Sequence, residues 1–151
     1  MTPNTPLSRP WPALANLLVR IIQVTNELPE DVQALVTKIF ALSRDPQAAE
    51  ELASYIDAGV DVNLTNQDGN TLLMLAAYNG NEPAVRALIE RGADVNRVND
   101  RGQTPIAGVL FKKELEIARI LVQAGADLDA GHPTARDTAA LFGVDISDLS
   151  A

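Results

Sequence analysis

One string returns along this chain at a fixed distance. Gly59-Val60-Asp61-Val62-Asn63 is echoed by Gly92-Ala93-Asp94-Val95-Asn96 and again by Gly125-Ala126-Asp127-Leu128-Asp129, each copy 33 residues after the last. Gly69 and Gly102 keep the same spacing, as do Thr71 and Thr104. A unit of this length with glycine at two fixed phases is one supersecondary element that cannot bury its apolar face alone, so stacked neighbours must complete it. The core is then shared between units rather than enclosed by any one of them.

Inside a unit the residues read in order. Asn66-Gln67-Asp68-Gly69 is a turn cluster whose glycine supplies the positive φ that branched residues resist, which predicts a hairpin-like loop. Thr71 is placed to cap the apolar run Leu72, Leu73, Leu75, Ala76 and Ala77, whose small alanines let a second helix approach closely. Gly80 ends that helix. Pro83 suits a first helical turn, and Val85, Leu88 and Ile89 at i, i+3 and i+4 give the next helix one apolar face, stopped by Gly92.

This succession resembles the ankyrin repeat. Thr104-Pro105-Ile106 is similar to the family's Thr-Pro-Leu turn, and Gly92-Ala93-Asp94-Val95-Asn96 matches its closing motif, with the resemblance running from about Gln33 to the C-terminus. It implies an all-α solenoid of helix-turn-helix units joined by hairpin-like loops, about four units with degenerate caps, over residues 29–65, 66–98, 99–130 and 131–151. The run from Asn63 through Gly69-Asn70-Thr71 to Tyr78 is also similar to compact, stand-alone ankyrin proteins of bacteria. In the first unit no glycine opens a hairpin at Val36, so a longer helix is expected from about Glu30. Lys38-Ile39-Phe40-Ala41-Leu42 then starts the inner helix, and Leu52, Tyr55 and Ile56 face inward from the outer one. In the fourth, Thr134 to Ala140 aligns with Thr71 to Ala77 three residues short of two repeats, leaving an outer helix only over 146–149.

Ahead of the repeats, Pro3, Pro6, Pro10 and Pro12 predict an extended stretch over 1–12. Over 13–28, Leu14, Leu17, Leu18, Ile21 and Val24 line one face of an amphipathic helix. That face either covers the flank of the first unit or docks a partner or a second copy of the chain, which would make the protein a homo-oligomer. Its polar side is not rich in Lys or Arg, which argues against a membrane surface. Asn16, Arg20 and Gln23 interrupt the apolar stretch too often for a secretory or spanning segment, so a cytoplasmic protein is expected.

Composition removes most chemistry. Twenty acidic side chains against 12 basic give a net charge of −8 with no Lys or Arg block, so a nucleic-acid backbone is not a fitting partner. There is no cysteine, and His132 is the only imidazole, so thiolate and histidine metal sites and a cysteine nucleophile are excluded. The Asp-x-Asn stretches at Asp61 and Asp94 resemble part of a calcium loop, but the glycine and bidentate Glu are not at the required offsets; they fit turn-forming hydrogen bonders. Glu50 with Glu51, and Asp145 with Asp148, fit solvated helix faces better than an acid and base pair. No nucleotide-binding or nucleophile-elbow string is present. A non-enzymatic protein without cofactor or metal is expected.

By the resemblance, an adaptor or regulator would hold a partner protein on the concave side, through hairpin tips and the ends of inner helices. The matching positions are Gln67, Asp68 and Asn70 with Tyr78 and Asn79, then Asp100, Arg101 and Gln103 with Phe111 and Lys112, and finally Leu141 and Phe142. The alternative for Phe111 and Phe142 is that both turn inward and pack between repeats. Lys113 stands where Gly80 closed the preceding inner helix, which predicts either a left-handed Lys113 or a rearranged turn, and Gly108 interrupts a helix where alanine would be more stable by up to about 1 kcal/mol. Local departures of this kind collect at functional positions, so Phe111, Lys112 and Lys113 are expected at the centre of the contact surface.

Overall fold

Three threonines fix where the short inner helices begin. Thr71, Thr104 and Thr134 each hold extended backbone, and each side-chain oxygen accepts the amide three residues on, from Met74, Ala107 and Asp137. Each such cap contributes about 1 kcal/mol and starts the helix at the next residue. In the computed structural model, which describes residues 29–149, seven helices follow in order: α1 (Glu30–Arg44), α2 (Ala49–Asp57), α3 (Leu72–Tyr78), α4 (Glu82–Glu90), α5 (Pro105–Phe111), α6 (Leu115–Gln123) and α7 (Ala135–Phe142). No strand is formed among the described residues; Thr65 and Thr71 make one isolated antiparallel bridge at the base of a hairpin loop.

Helices of seven residues, such as α3 and α5, are too short to persist alone. Packing holds them. Helices α1, α3, α5 and α7 lie side by side as an inner layer, each packed on the next, and α2, α4 and α6 form an outer layer behind them. Leu72, Leu73, Ala76 and Ala77 of α3 are fully buried, as are Val85 of α4, Ile106, Val109 and Leu110 of α5, and Ala118 and Leu121 of α6. The alanines keep the layers close, while burial of each Leu or Ile contributes roughly 1.5–3 kcal/mol that no single helix pair could collect alone. This is the all-α array of helix-turn-helix units that the repeat predicts. The long first helix is found from Glu30, as the missing glycine at Val36 implies.

Polar ties run between units on the side of the repeated Asp-x-Asn turns. The Asp61 carboxylate accepts the Asn63 amide at 2.9 Å, and the Asn63 side chain accepts the Asp94 amide at 2.8 Å. The same pair of bonds recurs one unit later, with Asp94 accepting the Asn96 amide at 2.9 Å and Asn96 accepting the Asp127 amide at 2.7 Å. These residues are turn builders that also link one repeat to the next. Deeper, Asn81 is 1% exposed; its amide group donates to the Ser43 carbonyl at 2.9 Å while its oxygen caps the Ala84 amide at 3.3 Å. On the surface, Arg91 forks onto Asp57 at 2.9 and 3.2 Å, and Arg136 onto Asp129 at 2.8 and 3.4 Å. The Arg136 guanidinium holds the Asp129 carboxyl below its ordinary range.

The C-terminal end differs from expectation. Residues 146–149 form no helix: only a single turn closes there, with the Leu149 amide donating to Ile146 at 3.1 Å. One hydrogen bond closes one turn, and a single turn lies short of the nucleus a helix needs. Leu149 nevertheless is buried and joins the shared core. The carboxylate of Asp145 accepts both the amide and the hydroxyl of Ser147, at 2.9 and 2.7 Å, which spends it on the turn. The expected extended stretch over 1–12 and amphipathic helix over 13–28 lie outside the described residues. Among those described, no helix is long and apolar enough to cross a membrane, and no group of three or more His, Asp or Glu side chains is arranged to hold a metal ion.

Candidate functional site

Two hairpin loops, 66–70 and 99–103, stand beside the inner helices because asparagine folds each of them in the same way. The Asn66 oxygen accepts the amides of Asp68 and Asn70, both at 3.0 Å, and the Asn99 oxygen those of Arg101 and Gln103, again at 3.0 Å. Asn99 also ties the two loops together, its amide group donating to Asn70 and to Gln103 at 2.8 Å each. The Asp100 amide bonds the Asp68 carbonyl at 3.0 Å, and the His132 amide bonds that of Gly102 at 2.8 Å, so the loops stack into one wall. Gly69 makes the stacking possible: its φ is +76°, and a Cβ there would collide with the Asp100 side chain and come within 2.9 Å of the Asp100 amide nitrogen.

Between this wall and the faces of α3, α5 and α7 runs a groove of about 570 Å³. Its floor is apolar. Tyr78, Phe111, Leu141 and Phe142 are 42, 48, 78 and 40% exposed, the greater part of the large apolar side chains left facing solvent among the described residues. The rings of Phe111 and Phe142 meet edge to face with centroids 5.0 Å apart, a contact that contributes about 0.5–1.5 kcal/mol beyond its area and holds both rings outward. Tyr78 lies beside Gly108, where a Cβ would stand 3.5 Å from its ring, and carries Lys112 with the ammonium 4.8 Å from the ring centre.

Eight of the residues expected on a contact surface line this groove together: Asp68, Asn70, Tyr78, Arg101, Gln103, Phe111, Leu141 and Phe142. The remaining five sit apart from its lining. Gln67 and Asp100 are exposed at the loop tips, and Asn79 is exposed but donates its side chain back to the Leu75 carbonyl at 2.7 Å. Lys112 forms the rim over Tyr78. Lys113 faces a second hollow of about 230 Å³, lined also by Leu115, Arg119 and Val144. Its backbone is left-handed, with φ at 60°, so of the two outcomes its place in the repeat allows, the turn keeps its shape and the lysine takes the glycine conformation. Asn70 and Gln103 have part of their hydrogen-bonding capacity committed to Asn99.

Sequence reasoning missed three lining residues of consequence. Asn99 is 8% exposed and organises the wall, and it was within reach of the period, standing 33 residues after Asn66. Met74 on the floor and Asp137 on the first turn of α7 carried no such signal. His132 is exposed and takes part in the stack through its backbone only. Asp68, Asp100, Arg101, Asp137, Lys112 and Lys113 form no ion pair with one another or with other described residues. The family model for ankyrin repeats (3 copies) matches residues 38–132, more than half of the chain, and no curated protein matches it.

Proposed function

Because the chain belongs to the ankyrin-repeat family, we propose that it is a non-enzymatic protein-binding module, an adaptor or regulator that holds one partner protein in the groove between the hairpin wall and α3, α5 and α7. The observation that carries this reading is the grouping of Tyr78, Phe111, Leu141 and Phe142 on one exposed floor. Apolar rings left in water cost free energy that the fold itself does not recover, and aromatic anchors with a polar surround are the composition of interface hot spots.

The test is affinity capture from a cell extract with the wild-type chain and with a Tyr78→Ala, Phe111→Ala, Lys112→Ala variant, both first shown to be helical by circular dichroism. A protein recovered by the wild type and not by the variant supports the groove. Equal recovery moves the contact elsewhere and rejects this reading.

A further inference from the structure

We propose that residues 13–24 of this chain dock on α1 as a cap, with Leu14, Leu17, Leu18 and Ile21 laid along the stripe of Val32, Leu35, Val36 and Ile39. Three observations lead to it.

The first is a valine buried outside the core. Val32 is 2% exposed, yet among the described residues it is not a member of the shared core that takes in Ile39 and against which Leu35 and Val36 pack. Neighbours on a single helix leave the outer side of a valine in water, so a further apolar segment must lie over it. No other unit supplies one at that place. Helix α1 starts eight residues before Lys38, the position in register with Thr71, so its first two turns project past the point where the other inner helices begin.

The second is the order of the chain. Outside the described span, residues 150–151 follow the last unit at the far end of the array, whereas residues 1–28 lead directly into α1. Pro29 stands at the N-cap of α1 with φ −54° and ψ 144°. A residue before proline is pushed out of the helical region, and proline has no amide hydrogen, so a helix arriving from residue 13 must stop short of α1. Residues 25–28 are then a connection of the length that joins antiparallel helical neighbours. Reversal at about residue 27 sets Ile21 and Ile22 opposite Val32, Leu18 opposite Leu35 and Val36, and Leu14 opposite Ile39. Two stripes of helical spacing then meet along their whole length.

The third is charge. Residues 1–26 carry Arg9 and Arg20 and neither Asp nor Glu, in a chain whose net charge is −8. Helix α1 opens with Glu30 and Asp31, both exposed. A basic segment is drawn to this body, whereas two copies of a chain so charged repel. With the stripe used in this way, it is not available to dock a second copy or a partner protein.

The test exploits the absence of cysteine from the chain, since a single introduced thiol then reports the cover over one position. Val32→Cys and, as an exposed reference on the same helix, Ala34→Cys are each made in the full chain, and labelling by a thiol reagent is timed under native conditions. The Val32→Cys thiol is expected to react at least about tenfold more slowly than the Ala34→Cys thiol, because labelling must wait for the cap to open. That difference should be lost when Leu17→Lys, Leu18→Lys and Ile21→Lys are added, while circular dichroism shows the repeats still helical, and it should not depend on protein concentration. Equal rates in the two single variants overturn the proposal. Protection that survives the three lysines also overturns it, by placing the cover within the described fold, and protection that grows with protein concentration assigns the cover to a second copy instead. Where the lysine variant unfolds, Arg20→Cys with Ala34→Cys decides: the reversal sets these two positions opposite each other, so a short bismaleimide should join them within one chain, and failure to join them rejects the cap.

Discussion

Lys113→Gly should stabilise the protein, because Lys113 does the work of a glycine. The inner helices α3 and α7 close on Gly80 and Gly143, at φ of 69° and 68°, and α5 closes on Lys113 at 60°. A left-handed residue with a Cβ costs roughly 1–2 kcal/mol from the contact of Cβ with the following carbonyl. Glycine removes that cost but brings about 0.4–1 kcal/mol of extra freedom to the unfolded chain. The Lys113 side chain is exposed and forms no ion pair with a described residue, so little else is lost. The net gain is about 0.5–1 kcal/mol, which for a domain of this size raises the melting temperature by about 2–5 °C. Urea denaturation followed by circular dichroism reads it directly, with Lys113→Asn expected between the two because asparagine tolerates this conformation. Gly80→Ala is the reciprocal control. A Cβ there would lie 3.2 Å from the Glu114 carboxylate, which can swing aside, so a loss of about 1 kcal/mol would report the backbone alone. A Lys113→Gly midpoint unchanged or lowered, alongside the expected loss in Gly80→Ala, would refute the reasoning and show that the lysine stem stabilises the fold through the second hollow.

Three further outcomes follow from the packing. Asn81→Ala removes a cap and orphans the Ser43 carbonyl in a site 1% exposed, so it should cost about 2–4 kcal/mol in urea denaturation, far more than an ordinary surface change. Gly108→Ala should instead stabilise by up to about 1 kcal/mol, because the new methyl meets the Tyr78 ring at an ordinary 3.5 Å, and the denaturation midpoint should rise. Asp129 has its carboxyl held low by Arg136, so the stability it contributes is present above about pH 4 and is lost as pH falls through the lowered value. Asp129→Asn should therefore lower the urea midpoint at about pH 7 and match the wild type at about pH 2.

The parts of the fold written plainly in the chain are those that depend on local conformation and on period. Gly59, Gly92 and Gly125 mark the unit length, and Thr71, Thr104 and Thr134 mark the helix starts, because a positive φ and a cap are properties of one or a few adjacent residues. Lys113 was half legible for the same reason: its position in the repeat called for either a left-handed residue or a rearranged turn, and the sequence alone did not choose between them. Contacts across units were harder to read. Nothing near Asn81 indicates a bond to Ser43, 38 residues away, and nothing in Phe111 or Phe142 chooses between packing inward and pairing with each other on the surface. Those outcomes depend on how closely two units approach, which the summed volumes of Ala76, Ala77, Ala84 and Ala118 set together. The last turn was misread because a run that resembles an outer helix in pattern is too short to hold one.

The departures from the repeat gather on one inner helix. Gly108 leaves room beside Tyr78, Phe111 turns its ring to the groove against Phe142, Lys112 covers Tyr78, and Lys113 accepts a strained backbone, all on α5 or directly after it. Gly108, Phe111 and Lys113 each lower stability or expose apolar surface, and a fold selected only for packing would carry alanine, a polar residue and glycine instead. The array tolerates them because α5 is clamped on both sides, by α3 and α7 in its own layer and by α6 behind, with Ile106, Val109 and Leu110 wholly buried. The repeated bonds from Asn63 to Asp94 and from Asn96 to Asp127 hold the same units in register from the opposite side. A middle repeat is therefore where a solenoid can best carry a costly surface, since both of its faces are supported while each end has only one neighbour. That the cost is concentrated there, on the floor and rim of the groove, is the physical reason to look for a partner at α5 before any other place on the molecule.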